Sequence, residues 1–494
     1  MSTSFNQVPT NLLIPFVAVE FDSSKASQGP ALLAYKGLII GQKLAGGTFT
    51  PDTVVKVSSL DQVITGAGRG SMLHRQYLAW TASNKSTELW MGVLADNAAG
   101  VAATGTITVA GPATATGTIA LYLGGTLISV GVNIGDASTA IAAAISAAVN
   151  ALPDLAVTAS VSASTVTLTY RHKGTVGNSF DVRYNFRDGD ALPAGVTLTV
   201  AAVGSVVVGT SNPTLTNLIA AMTTIWFQIW THPYTDATSL TAIETELATR
   251  NGPMRQQQGV AITSASGSFS TLSTLGSGRN SPHSVIVAQT GRTPLTPPAE
   301  FAAEVAAVVA QYGAADPGRP FQTLALSRAL ASTEADQWDP STERNLLLYA
   351  GIATTKRVTG GGVQLERMVT TYETSPSGAA DPSYRDLTTL LTLLYLRYSF
   401  RVSWQNQFPR AKLATDATPY GSGQIVVTPL LGKAFAVAWF EDMLALGLVE
   451  DLVQFKRDLV CERDVSDPNR LNFMLPPNLI NFLALTAAQV QFRL

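Results

Sequence analysis

The residue types best suited to chemistry are sparse in this sequence, which contains four histidines and one cysteine. The histidines are His74, His172, His232 and His283. None of them stands at a metal-ligand spacing from another histidine, or from a carboxylate in a recognisable motif. The single cysteine, Cys461, excludes an internal disulfide and falls in a predicted hairpin strand rather than at a helix start, where a thiolate would be stabilised. We therefore expect no metal, cofactor or catalytic site, and no enzyme.

Three glycine-containing motifs could be interpreted either as ligand-binding loops or as simple turns. Gly66-Ala-Gly-Arg-Gly-Ser71 is similar to a dinucleotide-binding loop, but that fingerprint requires glycine where Ser71 stands. We interpret it as a turn into a helix capped by Ser71, whose start could still hold an anion. Asp188-Gly-Asp190 has the residue types of a calcium loop, but alone it is more typical of a turn. Gly360-Gly-Gly362 is likewise interpreted as a flexible corner.

The charge content of the chain is low. Charged residues make up 13% of the 494 residues, about half the usual share in globular proteins. This indicates either a surface largely covered by other subunits or an uncharged surface rich in Thr, Ser and Gly. The net charge of −2, without blocks of like charge, argues against nucleic-acid binding. We recognise no signal peptide and no run of eighteen apolar residues, and so expect no membrane insertion.

Composition and periodicity divide the chain into several regions. From Asp96 to Thr210 the sequence is rich in Thr, Ala, Gly and Val and predicts short strands with one helix; afterwards strands and helices alternate, as in a parallel or mixed sheet. The predicted class is α+β and multidomain, with a mixed α/β core built from both ends of the chain, an inserted β-rich, sandwich-like domain and extended terminal strand arms. The predicted domains are an N-terminal arm (1–30), a first core part (31–95), an inserted outer domain (96–210), an α/β core (211–447) and a C-terminal hairpin with strand arm (448–494).

Both ends of the chain carry strand patterns. Leu479 to Leu494 alternates with period two over sixteen residues, about 50 Å if fully extended, which is longer than an ordinary strand. Near the N-terminus, Phe16 to Asp22 shows the same alternation. Such arms either pair within their own domain or add to the sheet of a neighbouring molecule.

A hairpin is predicted just before the C-terminal arm. Lys456 to Arg463 is expected to pair with Arg470 to Leu475, because the intervening residues 464–469 are dense in turn formers. Pro476-Pro477 ends the hairpin and starts the terminal strand. Since a two-stranded hairpin is marginally stable alone, it is expected to acquire further strands, which the two arms could supply.

Several segments together resemble the tail sheath proteins of Mu-like contractile phages, and the likeness covers nearly the whole chain. The segments are Ser4-Phe-Asn-Gln-Val-Pro9, Pro15-Phe-Val-Ala-Val-Glu-Phe-Asp22, Gly68-Arg-Gly-Ser-Met-Leu73, Glu88-Leu-Trp90, Pro468-Asn-Arg-Leu-Asn-Phe-Met-Leu-Pro-Pro477 and Ala488-Gln-Val-Gln-Phe492. The resemblance implies a structural protein that forms stacked six-fold rings around a tail tube and contracts without nucleotide to drive the tube through a bacterial envelope.

The resemblance also implies how the subunits are linked. N- and C-terminal arms of neighbouring subunits would complete a sheet on the hairpin. The implied arm residues are Phe16, Val17, Val19, Phe21, Val490, Phe492 and Leu494, and the implied receiving residues are Leu459, Cys461, Leu471 and Phe473.

Partners implied by the resemblance are further copies of the chain, the tail tube protein, and baseplate and tail terminator proteins. The location implied is the virion, after assembly in the host cytoplasm. The inserted domain is expected to decorate the outside of the sheath. Two alternatives stay open: the sheath of a headless contractile bacteriocin, and a non-contractile lattice protein such as a surface layer.

Overall fold

The computed structural model of the protein describes residues 33–421 and 423–493. Within them the chain divides into two compact units: the first contains residues 34–394 and 480–493, and the second contains residues 33 and 395–479. Four of the predicted arm residues lie outside the described residues in the N-terminal segment, namely Phe16, Val17, Val19 and Phe21, and Leu494 lies outside them as well.

The first unit begins with strands and helices that precede the predicted insertion. They are β1 (Lys36–Gln42), β2 (Thr53–Val57), α1 (Leu60–Ala67), α2 (Met72–Ser83) and β3 (Glu88–Leu94). The Ser71 hydroxyl caps α2 by accepting a hydrogen bond from the backbone N–H of His74. Gly68 and Gly70 have φ angles of 89° and 79°, which favour glycine, so the interpretation of this motif as a turn leading into a capped helix is confirmed.

The insertion consists of two antiparallel sheets and one helix. Its elements are β4 (Ala102–Ala110), β5 (Gly117–Leu123), β6 (Thr126–Val132), α3 (Ser138–Asn150), β7 (Val157–Ser162), β8 (Thr165–Lys173), a 3₁₀ turn (Thr175–Ser179), β9 (Val182–Tyr184) and β10 (Thr197–Ala201). The sheets have the orders β10-β4-β8-β7 and β6-β5-β9. Side chains from both sheets and from α3 form a separate hydrophobic cluster that includes Ile107, Leu121, Ile145 and Leu168. The β-rich character predicted for this region is confirmed.

The chain then alternates between helices and strands. The elements are α4 (Thr216–Ala221), β11 (Ile229–Thr231), α5 (Ala237–Asn251), β12 (Val260–Ala265), α6 (Phe269–Ser277), β13 (Ser284–Ala288), α7 (Pro298–Ala315), β14 (Ala325–Leu326), a 3₁₀ turn (Glu334–Asp336), a π turn (Pro340–Arg344), α8 (Asn345–Tyr349), β15 (Ile352–Arg357), β16 (Val363–Arg367) and α9 (Leu387–Gln407). Gly360 and Gly361 turn the chain between β15 and β16 with φ angles of 90° and 85°.

One mixed sheet organises this unit, with the strand order β14-β16-β15-β13-β12-β11-β1-β3-β2. The strands from β15 to β3 in this order run parallel, whereas β14, β16 and β2 pair antiparallel with their neighbours. Strand β1 pairs with β3 on one side and with β11 on the other, so segments on both sides of the insertion share the sheet. Every residue of β12 and β13 is buried, as expected for central strands covered on both faces. The predicted mixed α/β core is therefore confirmed.

The second unit contains the end of α9 and a series of short elements. They are β17 (Lys412–Leu413), β18 (Val426–Val427), α10 (Pro429–Ala445), β19 (Val449–Glu450), α11 (Leu452–Asp458), β20 (Val460–Arg463), β21 (Leu471–Met474) and β22 (Asn478–Leu479). Strands β20 and β21 pair antiparallel, as do β19 and β22. The unit packs around an aromatic core in which the rings of Phe440 and Phe455 stack with centroids 4.0 Å apart.

Two C-terminal elements differ from their predicted bounds within the described chain. The predicted sixteen-residue strand is reduced to β22, and residues 480–493 contain no strand. A strand requires a hydrogen-bonding neighbour, and the pairing of Leu479 with Val449 ends that ladder. The predicted hairpin also begins too early, because Lys456 belongs to α11, and Leu459 closes that helix by donating its N–H to the Phe455 carbonyl at 2.9 Å.

Candidate assembly interface

The hairpin of β20 and β21 has the pairing that the sequence predicts over its strand residues. Cys461 lies opposite Phe473, and Arg463 lies opposite Leu471. Leu459 and Cys461 are each only 5% exposed, whereas Leu471 and Phe473 are half-buried. Of the four predicted receiving residues, three therefore lie on the paired strands, and Leu459 lies just before them at the end of α11.

One face of the hairpin is held against α10 at a point of close approach. A Cβ atom added to Gly432 of α10 would lie 2.6 Å from the Cys461 Sγ atom and 3.1 Å from the Phe473 ring, so only glycine fits without displacement. The Phe473 ring also meets the rings of Phe400 and Trp404 edge-on, with centroids 5.5 Å and 5.1 Å away. The apolar face of the hairpin is thus fixed by the core of its own unit.

The turn between the two strands is ordered by Asp464. Its carboxylate accepts hydrogen bonds from the side chain of Asn472 at 2.8 Å and from the backbone N–H groups of Ser466 and Asp467 at 2.8 Å and 3.0 Å. These hydrogen bonds, that from Asn472 foremost, lower the pKa of Asp464 below its ordinary value. The turn is therefore held by hydrogen bonds from within the hairpin itself.

No third described strand pairs with this hairpin. Among the described residues β20 and β21 form a sheet of two strands only, so their outward N–H and C=O groups have no strand partner there. Met474, on the second strand, is 58% exposed. Unpaired edges beside a fixed apolar face are the arrangement that accepts an additional strand by main-chain hydrogen bonding.

The C-terminal segment is an exposed apolar chain. Leu483, Leu485, Val490 and Phe492 are 70%, 82%, 85% and 80% exposed, respectively. Of residues 480–493, Phe482 is the only residue that is half-buried rather than exposed. So many exposed large apolar side chains in one short segment indicate a missing partner surface. Val490 and Phe492 belong to no strand of the described chain.

The Cys461 thiol of the hairpin is poorly suited to nucleophilic chemistry. Burial raises the pKa of the Cys461 thiol to about 11, so the nucleophilic thiolate is disfavoured at neutral pH. In residues 33–421 and 423–493 there is no group of three His, Cys, Asp or Glu side chains that could hold a metal ion. None of the described helices combines the length and hydrophobicity needed to cross a bilayer.

Sequence reasoning missed the contribution of α10 to the site. Gly432 and the aromatic side chains that surround Phe473 come from α9 and α10, which lie well before the hairpin in the chain. The available signal was a glycine inside a helix rich in apolar residues, because such a glycine often marks the close approach of another element.

Comparisons with known proteins cover most of this chain. Residues 209–371 match the family model of the phage tail sheath protein central domain, and residues 379–493 match that of the phage tail sheath C-terminal domain. The chain is 36% identical to the Mu-like prophage FluMu tail sheath protein of Haemophilus influenzae over 492 residues, covering 100% of both chains.

Solved structures with a more distant similarity include two sheath proteins. The crystal structure of a sheath tail protein from Desulfitobacterium hafniense has a TM-score of 0.48 at 12% identity, covering 94% of this chain and 100% of the other. The sheath complex of an extracellular contractile injection system, PVC, in the contracted state has a TM-score of 0.47 at 7% identity, covering 98% of both chains.

Proposed function

This chain belongs to the phage tail sheath family, and from that premise we propose that it polymerises as six-fold rings around a tail tube and contracts to drive the tube through a bacterial envelope. It is a structural tail sheath protein. One observation supports the finer proposal: the described chain contains both a hairpin without a third strand and an exposed apolar C-terminal segment.

The subunits are linked by strand exchange. The segment that contains Val490 and Phe492 adds to an edge of the β20–β21 hairpin of a neighbouring subunit, and the segment from Phe16 to Phe21 adds to another edge. Main-chain hydrogen bonds supply the continuity of the sheet. The apolar side chains set the register, because a slip of one residue would turn Val490 and Phe492 away from the hydrophobic side.

Contraction uses a conformational difference stored during assembly. The nine-stranded sheet with its buried central strands supplies a rigid body, whereas the arms act as hinges between rigid bodies. The extended lattice is a kinetically trapped state that is released when the baseplate moves. No nucleotide and no enzymatic step is involved.

The partners in this proposal are neighbouring sheath subunits, the tail tube protein, and the baseplate and tail terminator proteins. The sheath is assembled in the host cytoplasm and becomes part of the virion. It makes no direct contact with nucleic acid and does not insert into a membrane.

Negative-stain electron microscopy of the purified chain, expressed alone, tests the proposal. We expect hollow cylinders with striated walls and six-fold symmetry in end views. Particles that remain monomeric over the concentrations where tail proteins assemble would contradict it, and so would open sheets without a closed six-fold ring.

A further inference from the structure

The start of the C-terminal segment is attached to the body of the first unit. The Arg367 guanidinium lies 5.5 Å from the centre of the Phe482 ring, in the geometry of a cation–π contact. One residue further on, the Leu483 carbonyl accepts a hydrogen bond from the Gln322 side-chain nitrogen at 3.3 Å. The segment thus contacts the first unit through one side chain, that of Phe482, and through one main-chain group, the Leu483 carbonyl.

The partner of Phe482 is itself held in place. Arg367 ends β16, and its guanidinium makes two hydrogen bonds with the Asp386 carboxylate, at 2.9 Å and 3.1 Å. Because this pair fixes the plane of the guanidinium, the ring of Phe482 meets a preformed surface rather than a mobile cation.

The attachment ends soon after Phe482. A groove of about 590 Å³ runs beside the segment, and its lining includes Pro320, Arg344, Lys356 and Leu485. Leu485 lines this groove but remains 82% exposed, and each residue from Thr486 to Arg493 is exposed. The described segment therefore has two parts: a short attached base and a free end that carries Val490 and Phe492.

We propose that residues 480–485 stay on their own subunit when the sheath assembles, and that only the residues from Thr486 onward exchange into the neighbour. Phe482 and Arg367 would be positioning residues that define where the exchanged strand begins. This inference rests on the strand exchange proposed above and specifies which part of the arm takes part in it.

The attachment limits how far the arm can reach. Eight extended residues from Thr486 to Arg493 span about 26 Å, whereas an arm released at Leu479 would reach almost twice as far. A shorter arm can reach fewer hairpins, so the attachment restricts the neighbours to which the arm can add.

Site-specific photo-crosslinking in assembled material tests this division. One variant carries p-benzoyl-phenylalanine in place of Phe482, which keeps an aromatic ring at the contact, and a second carries it in place of Phe492. Each variant is assembled as an equal mixture of isotopically light and heavy chains, so mass spectrometry separates crosslinks within one chain from those between chains.

We expect position 482 to crosslink within its own chain, to peptides around Arg367, both before and after assembly. Position 492 is expected to crosslink between chains after assembly only, to the β20–β21 hairpin. Crosslinks between chains from position 482 would overturn the inference while leaving strand exchange intact. If position 492 gives no crosslinks between chains in assembled tubes, the exchange proposal is wrong, and this inference with it.

A matched pair of substitutions measures what the attachment contributes. Phe482→Ala removes the ring that meets Arg367, whereas Leu483→Ala shortens an exposed side chain and keeps the carbonyl that Gln322 binds. In the Phe482→Ala background, we expect the crosslinks from position 492 to spread over at least twofold more partner peptides. The Leu483→Ala background should keep the original pattern, and an unchanged pattern in both would contradict a positioning role for Phe482.

Discussion

The insertion buries its apolar side chains, whereas part of the C-terminal region exposes them. In the insertion, the core-facing residues of seven strands and α3 lie in one closed cluster, in which Ile107, Ile145 and Leu168 are fully or almost fully buried. In the C-terminal region no third strand pairs with the hairpin within residues 33–421 and 423–493, and the segment after it exposes most of the Val490 and Phe492 side chains.

The difference shows which part of the chain is complete by itself. A region whose strand faces meet its own helix and sheets has no physical requirement for a partner. The two-stranded hairpin, by contrast, has no third strand among the described residues, and the segment that follows it in the chain exposes its apolar side chains. The comparison therefore separates a self-contained region from one that the proposed strand exchange would complete.

Removal of the arm tip should have the largest effect. Deletion of residues 488–494 is expected to leave a folded protein with an unchanged melting temperature, because the described residues of this segment are exposed. Tubes should be absent, since Val490 and Phe492 are lost. Electron microscopy and sedimentation measure assembly, and normal tubes from the truncated chain would refute strand exchange through this arm.

A single charge on the apolar face of the arm should weaken assembly. Phe492→Asp would bring a carboxylate into the new sheet, whereas Gln491→Asp places the same charge on the opposite, polar face. Because burial of an unpaired charge costs several kcal/mol, we expect the critical concentration to rise at least tenfold for Phe492→Asp only. Equal effects of the two substitutions would contradict the assigned faces.

The close approach at Gly432 should make the hairpin sensitive to one methyl group. Gly432→Ala is expected to destabilise the protein by about 1–3 kcal/mol, because the new Cβ would displace the Cys461 Sγ atom or the Phe473 ring. Gly421→Ala is the matched control, since no atom lies within 4 Å of its added Cβ. Chemical denaturation gives both free energies of unfolding, and similar losses would exclude a specific packing role for Gly432.

The Cys461 thiol should report on the integrity of the hairpin. With its pKa raised from 9.0 to about 11 by burial, the thiolate fraction at pH 7 falls about a hundredfold below that of the unfolded chain, and alkylation should slow by at least that factor. The raised pKa also means that the stabilising contribution of the protonated thiol is complete below pH 9 and is lost as the pH rises towards about 11. Rapid alkylation of the native protein would show that the hairpin opens.

Replacement of the insertion should have the smallest effect on assembly. Val101 and Thr210 exchange backbone hydrogen bonds of 3.2 Å and 3.1 Å, so a short Gly-Ser linker can join the residues on either side of 101–210. We expect tubes with an unchanged inner diameter and a thinner wall. The replacement should also lower the free energy of unfolding slightly, because the N–H of Met72 loses its 2.9 Å hydrogen bond to His172. A folded variant that fails to assemble would show that the insertion contributes to the lattice.

Local patterns in the sequence correctly predicted the regular elements that carry a strong signal. Ser71 before an apolar stretch predicted the capped start of α2. The turn residues 464–469 predicted the hairpin. Helix α11 was missed, since seven residues between two short strands are too few for a helical periodicity to stand out.

The sequence alone determined which structure each segment is able to form. It showed the alternation at Val490 and Phe492, the β-rich insertion, the hairpin, and the family resemblance carried by both ends. Only the tertiary structure decided that β1 joins β11 across the insertion, that Gly432 lies against Cys461, and that Phe482 rests on Arg367. The physical reason is that alternation and turn chemistry are local properties of the chain, whereas strand order and close packing depend on residues far apart in sequence. A strand pattern becomes a strand only when another chain segment supplies its hydrogen bonds.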